Sequence, residues 1–557
     1  MDVKPSIDRR YVGEIPILQA VAKQLGFKQT LSKYVKAHGN EDVSAVDTLM
    51  MILFNLACGR QPLYELDEWV RGIDPQLFGY QSFPSGTFND DRFGRALDKL
   101  YLADRASLTT DIVMGMVNAI QLDLSCCHND STTVKAYGKI AGTTVTGLTL
   151  ARGHSKDHRP DLKQLVYCLT LSADGAVPIH HKVYPGNRTD DATHIETWNT
   201  IRTLHNDPGF LYVADCKVCT DKQLAHIVHH GGRVITIMPD TWKEARLFKQ
   251  ALRESKKPKK VLWRRKISED TSHGEAQYVT YSCFTGTHVS HKGAYAIHWI
   301  YSHEKKKRDR QSREDLLQRV ENELRELTGK LNMRRLKTKT QINERVQAVL
   351  KKHGVGQFYH IKIFDVKERS TVQVGVGRPG PSTQHQTKVS VIYTLAWSRN
   401  RQALKKELNV DGISPLLCTD PSLSAKDALI AYKYQPRLEK RFTQFKSVHH
   451  AAPLLFKKIQ RVEAIMFLFF LALMLQAVIE RQVRASMSEH EIQHLPIYPE
   501  HRIAYHPTTA KIFDRFHDIS TYLLFDNGQP IKAFKDQLKP LHLDILRLLK
   551  ITETQYW

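Results

Sequence analysis

Three acidic residues stand where carboxylates from separate elements could meet. Asp130 closes a strand-like run in His128-Asn129-Asp130-Ser131-Thr132-Thr133, and Asp215 directly follows the apolar run Phe210-Leu211-Tyr212-Val213-Ala214. Glu439 lies in a helical segment with Tyr432, Arg437 and Lys446 nearby in the chain. Hard oxygen ligands of this kind suit Mg²⁺. Two such ions about 4 Å apart serve phosphoryl transfer, one activating the attacking oxygen and the other stabilising the leaving one. The carboxyl ends of strands in an open α/β sheet are where ligands bind. An Asp following four buried apolar residues is costly to bury without a cation or a donor. The competing readings are ordinary ones. An Asp after a strand often caps a helix or shapes a turn, and Glu439 among cations reads equally as a surface ion pair. Positions 439, 443 and 446 are spaced to share one helical face, which would put a carboxylate and a lysine side by side.

The rest of the chain must position these groups. It has 557 residues, which suggests three or four structural units, and 41% are apolar, enough for a substantial core. Lys and Arg total 81 against 58 Asp and Glu, a formal charge of +23. Such an excess points first to nucleic acid, second to an anionic membrane surface, and otherwise to a merely solvated basic exterior. Two dense clusters are candidates for phosphate contact: Lys256, Lys257, Lys259 and Lys260 with Arg264, Arg265 and Lys266, and Lys305 to Arg308. The start of the chain lacks an apolar signal-type segment. The most apolar run, Ala464 to Leu475 and on to Ile479, is shorter than a bilayer span and reads as a buried core helix, so no membrane partner is expected. Eight scattered cysteines fit a reducing compartment, and a cytoplasmic, nucleoid-associated location is expected. Cys216 and Cys219 have no second pair at zinc-finger spacing and read as free thiols. No P-loop sequence is present, so ATP use is not expected.

Apolar periodicity divides the chain. Residues 1–120 read as a helical, candidate DNA-binding domain, with helices over 15–27, 43–58 and 92–120. Residues 121–240 show strands at 122–128, 164–171, 177–184, 210–214 and 233–238, with helices near 192–204 and 221–230. The Asp174-Gly175 pair marks a hairpin. This β-β-β-α-β-α-β order predicts a mixed sheet flanked by helices, the first part of an α/β core. Residues 241–410 read as an insertion domain of strands and a long charged helix or helical hairpin over 304–353. Residues 411–482 return to the core through a strand at 411–419 and helices at 424–434, 436–446 and 461–479. Residues 483–557 read as a helical C-terminal region.

Several segments together resemble the DDE transposases of bacterial insertion sequences, in the group with a tyrosine-arginine-glutamate-lysine signature (the insertion-sequence-four superfamily). They are His128-Asn129-Asp130-Ser131-Thr132, Gly153 to Asp157 with Arg159 to Gln164, Tyr184-Pro185-Gly186-Asn187 with Asp190 and Asp191, Val213-Ala214-Asp215, and Tyr432 through Glu439 to Lys446. Asn89 to Leu97 is similar to the amino-terminal domain of one branch of that group.

The resemblance implies an RNase H-like core interrupted by a β-rich insertion. It implies that Asp130, Asp215 and Glu439 hold two Mg²⁺ ions per active site, with Mn²⁺ as substitute. Tyr432 and Lys446 match the signature tyrosine and lysine and would contact DNA. The signature arginine position is Gln435 here, and Arg437 is the nearby replacement. The implied partners are double-stranded DNA, as terminal inverted repeats and as target, and a second copy of the chain on paired ends. The implied reaction is hydrolysis at each end followed by joining of the 3′-OH to target DNA. A catalytically inactive DNA-binding relative and a nuclease without strand transfer are the alternatives. Asp157, Asp161, Asp190 and Asp191 are rival acids, and His154 and His158 are rival ligands.

Overall fold

The computed structural model describes residues 5–36, 41–59, 65–83, 86–137, 140, 142–154, 159, 161–189, 193–266, 277–333, 335–449, 451, 456–526 and 529–557. The chain forms two compact units, one of residues 1–237 with 417–557, the other of residues 238–416.

The first unit opens with strand β1 (Ser6–Tyr11), then helices α1 (Ile15–Gln24), α2 (Phe27–Tyr34), α3 (Ala45–Cys58), α4 (Leu66–Arg71), α5 (Asp90–Leu102) and α6 (Arg105–Ile120). The helix expected over 15–27 breaks at Gly26, whose φ of 68° is left-handed. The helix expected over 92–120 is two helices. Asp104 leaves helical geometry and accepts a hydrogen bond from the Ser107 N–H at 3.1 Å, capping α6.

The sheet follows: β2 (Cys126–Lys135), β3 (Gln164–Ser172), β4 (Pro178–Pro185), α7 (His194–His205), β5 (Leu211–Ala214), α8 (Asp221–His229) and β6 (Arg233–Ile237). Its spatial order is β4-β3-β2-β5-β6. The first three strands are antiparallel, and β2, β5 and β6 run parallel. The β3–β4 turn uses Gly175 and Ala176 at positive φ, as the Asp-Gly signal requires. The expected strand and helix order is thus present, with helices alongside a mixed sheet.

The second unit holds α9 (Lys243–Glu254) and the antiparallel strands β7 (Lys259–Lys266), β8 (Tyr278–Phe284) and β9 (Ala296–Ser302). The charged stretch forms a helical hairpin, α10 (His303–Thr328) and α11 (Lys339–His353). Leu317, Val320, Leu324, Ile342, Val346 and Leu350 make its core. A long hairpin of β10 (Tyr359–Gln373) and β11 (His385–Arg399) packs its base residues Tyr359 and Leu395 into that core. Helix α12 (Arg401–Glu407) precedes β12 (Ile413–Cys418), along which the chain returns to the first unit. There the Thr419 N–H donates to the Val234 carbonyl beside β6 at 3.0 Å.

The returning chain forms α13 (Ala425–Tyr432), α14 (Pro436–Thr443), a π turn over Gln444–Val448, and α15 (Ile459–Glu489). Helix α15 is long and apolar enough to cross a membrane by length and composition, and 94% of its most apolar window is buried inside the protein. It packs against α1, α3 and α5 and also against β4, so the N-terminal helices and the sheet share one central helix. It runs ten residues past Ile479 because charges there are paired internally, as with Glu480 below. The tail, expected as helices, has α16 (Thr509–Phe516), α17 (Pro540–Leu548) and α18 (Glu553–Tyr556), but also a hairpin of β13 (Ser520–Asp526) and β14 (Gln529–Lys535). Strand β13 pairs with β1 from the other end of the chain. The polar Ser6-Ile7-Asp8-Arg9-Arg10-Tyr11 has no strong strand alternation of its own, so its partner alone reveals it.

Candidate active site

Parallel pairing between β2 and β5 ends at Asn129 opposite Ala214. Asp130 is the next residue of β2, and Asp215 directly follows the end of β5. Asp130 does not end β2, as the sequence alone suggests, because β3 continues to pair with β2 as far as Lys135. It stands instead where β2 loses its neighbour on the other side. Leu211 to Ala214 are all buried, and Asp215 leaves that core with its side chain 37% exposed. Each carboxylate is steadied by a local backbone donor: Ser131 N–H to Asp130 Oδ1 at 2.7 Å, and Lys217 N–H to Asp215 Oδ1 at 2.9 Å.

Glu439 sits on α14, which Pro436 starts from its favoured first-turn place. The opposite face of the helix is fixed by Leu438, Phe442 and the buried Arg441. Arg441 pairs with Glu480 of α15 at 3.0 Å and donates to the Ala176 carbonyl in the β3–β4 turn at 3.1 Å. Glu439 is left on the exposed side.

The three acids act on one group. The phenol of Tyr432 is pushed up by burial, then by the negative charges of Asp215, Asp130 and Glu439, with Cys216 also contributing. Tyr432 therefore stays protonated and can donate a hydrogen bond. Sequence reasoning missed a further neighbour. His194, buried at the start of α7, places Nε2 3.8 Å from Asp215 Oδ1, while its Nδ1 is 3.0 Å from the Tyr212 hydroxyl. A lone histidine in a helix start carries no signal in the sequence that separates it from an ordinary core residue.

The remaining candidates fall out as follows. Thr443 shares the exposed face with Glu439 and hydrogen-bonds its carbonyl at 3.0 Å, but Lys446 lies in the π turn, beyond the α-helical register assumed for positions 439 to 446. That turn has a cause: Gln444 and His449, five apart, both reach the buried Gln476. Arg437 acts electrostatically on Tyr434 and Arg484. Gln435 donates to the Asn129 carbonyl and meets His128 Nδ1, each at 3.2 Å. Asp161 pairs with Arg159 at 2.7 Å. Asp157, His158, Asp190 and Asp191 lie outside the described residues, and His154 contributes its carbonyl to Gln164. Cys216 and Cys219 are not joined in a disulfide, the first being exposed and the second buried. A cleft of about 910 Å³ opens along β4, but it contains none of the three acids, and its Arg105–Glu463 and Lys182–Glu196 charges are paired.

A family model described as a domain of unknown function, DUF4277, matches residues 7–114. That span covers β1 and α1 to α5 and most of α6. None of the curated proteins matches. Among solved structures, the piggyBac transposase synaptic complex with hairpin DNA matches at 9% identity and a TM-score of 0.25, over 54% of this chain. The chain spans 63% of that protein's length.

Carboxylates are hard oxygen donors of the kind that divalent cations such as Mg²⁺ take. Among the described residues, no three His, Cys, Asp or Glu side chains are grouped closely enough to hold one metal ion. Mg²⁺ usually takes only one or two carboxylates, with water and substrate phosphate completing its shell. Asp130 and Asp215, adjacent across parallel strands, offer that number.

In the second unit, Lys256, Lys260, Arg264 and Arg265 are exposed along and beside the edge strand β7. Lys257 stands over the Phe248 ring at 5.0 Å and Lys259 over the Tyr301 ring at 3.2 Å. The two basic clusters meet: Lys259 is pushed down by burial and by Lys306, and both Arg265 and Arg308 act on Tyr281.

Proposed function

We propose that this protein is a metal-dependent DNA phosphoryl-transfer enzyme, a DDE transposase that cleaves transposon ends and joins them to target DNA. The observation that carries this reading is that Asp130 and Asp215 each directly follow the last matched pair, Asn129 and Ala214, of the parallel strands β2 and β5. The strand order β4-β3-β2-β5-β6, with acids after the paired ends of β2 and β5 and a glutamate on a late helix, supports an RNase H-like core. The interruption between β6 and α13 supports the inserted-domain layout, and the merged basic clusters of the second unit support phosphate contact.

Asp130 and Asp215 would hold the metal ions, with Glu439 on α14 completing the set. When bound, Mg²⁺ or Mn²⁺ supplies the positive charge that activates the attacking oxygen and stabilises the leaving one. The chain's own part is positional. The Tyr432 O–H would donate a hydrogen bond to a phosphate oxygen beside the carboxylates. His194 orients Asp215 from behind. Arg441 and Glu480 hold α14 so that Glu439 faces outward. Two cleaved ends call for two such sites, so the active species is a homodimer on paired DNA ends, in the bacterial cytoplasm.

The test is a plasmid carrying the gene with its flanking DNA, incubated with purified protein and Mg²⁺ or Mn²⁺. Wild type is expected to cut at inverted repeats and to give joined products on a second plasmid, and Glu439→Gln to do neither. Cutting by the Glu439→Gln protein would overturn the site, and cutting without joined products would leave a nuclease.

A further inference from the structure

Helix α14 reaches β2 through one side chain. Gln435 Nε2 donates to the Asn129 carbonyl at 3.2 Å, and its Oε1 lies 3.2 Å from His128 Nδ1. Since the amide nitrogen is committed to Asn129, the amide oxygen must accept, and His128 must carry its proton on Nδ1. His128 Nε2 is then the acceptor facing Cys126 Sγ at 3.6 Å. His128 and Asn129 are both buried, and the Tyr434 ring lies 5.0 Å from that of His128. The same residue begins the helix: the Gln435 carbonyl accepts from the N–H groups of Leu438 and Glu439 at 2.9 and 3.4 Å. Gln435 therefore touches the peptide just before Asp130 with its side chain and the backbone of Glu439 with its carbonyl.

We propose that Gln435 is the positioning residue that sets Glu439 against Asp130, clamping the first turn of α14 to β2 through the Asn129 carbonyl and the His128 ring. The inference rests on the proposed function for its catalytic consequence, though not for the clamp itself. An arginine at this position could donate to Asn129 but has no acceptor for a His128 Nδ1–H. Glutamine supplies both. The departure from the family signature is thus matched to the histidine two residues before Asp130, and Gln435 and His128 form a unit.

Two measurements on the full chain test this. Nitrogen-15 NMR of labelled histidine, with His128 assigned by difference against His128→Asn, should show the Nδ1–H tautomer in wild type. Gln435→Leu and Gln435→Arg should lose that fixed tautomer. In the plasmid cleavage assay, both variants should lose roughly 10- to 100-fold in kcat, the range for residues that orient metal-binding groups. Their KM for DNA should stay within about twofold, since no substrate contact is removed. Gln435→Glu, which keeps the acceptor and loses the donor, should fall between them and wild type, and serves if the other two fail to fold. An Nε2–H tautomer in wild type overturns the clamp. A raised KM with unchanged kcat overturns the positioning role and makes Gln435 a DNA contact. If wild type cuts no DNA, the functional reading and the catalytic role fall together, while the tautomer still decides the clamp.

Discussion

Asp130 and Asp215 are each the first residue past a matched pair, Asn129 and Ala214, on neighbouring parallel strands. The sheet therefore brings the two residues to the same end of neighbouring strands, and neither depends on a long loop for its place. Replacing either by asparagine keeps the shape and removes a charge. Asp130→Asn and Asp215→Asn are each expected to lower kcat for DNA cleavage by at least about 100-fold, the scale on which a removed charge-stabilising group is felt. Thermal unfolding should move little or upward, because the charges act against one another in the absence of a cation. A variant that unfolds earlier and keeps its activity would mark the carboxylate as structural.

His194 yields a separate expectation. Its two ring nitrogens face Asp215 and the Tyr212 hydroxyl, at 3.8 and 3.0 Å. Tyr212→Phe removes one of these partners and leaves the packing in place. Cleavage should fall roughly 10-fold, at the lower end for an orienting group, with KM for DNA held. Steady-state kinetics at saturating Mn²⁺ check it, and an unchanged kcat would show that the Tyr212 contact does not orient Asp215.

How far these relationships could be read from the sequence depends on their range. The apolar runs before Asp215 and along α15 call for removal from water, and in the fold both are buried inside the protein. The Asp174-Gly175 hairpin and the Pro436 helix start are local chemistry and appear where expected. What was hidden depends on partners far away in the chain. Strand β1 is legible only through β13, and the extension of α15 beyond Ile479 only through the Arg441–Glu480 pair. The π turn follows from Gln444 and His449 meeting Gln476, which no helical periodicity encodes. Lys446 is displaced from the assumed face for that reason alone.

The Arg441–Glu480 pair should be a stability hinge. Both side chains are buried, and Arg484 also contacts Glu480, at 3.3 Å. Glu480→Gln leaves Arg441 and Arg484 facing each other without the anion. Removing one partner of a buried pair costs about 3–5 kcal/mol. Urea unfolding should show a loss near that range, with cleavage reduced beyond what the unfolded fraction explains, because Arg441 holds α14. A loss below about 1 kcal/mol would show that the pair is replaceable by water or rearrangement.

Three histidines should make the protein acid-sensitive. Burial pushes His128 and His180 down from 6.5 to about 4, and burial with the charges of His180 and Arg105 pushes the half-buried His181 to about 3. His181 packs between Phe470, at 4.5 Å and stacked, and Tyr167, at 5.9 Å. In each case the folded state holds the neutral ring, while the unfolded chain takes up a proton once pH falls below about 6.5. The stability they contribute is complete above that pH and is lost as pH falls toward 4. Urea midpoints should therefore drop between pH 7 and pH 5. His181→Phe, which keeps the stacking and removes the titration, should flatten that drop by about one proton's worth of slope. Equal slopes in the two proteins would mean that His181 is protonated as readily in the folded state as in the unfolded one.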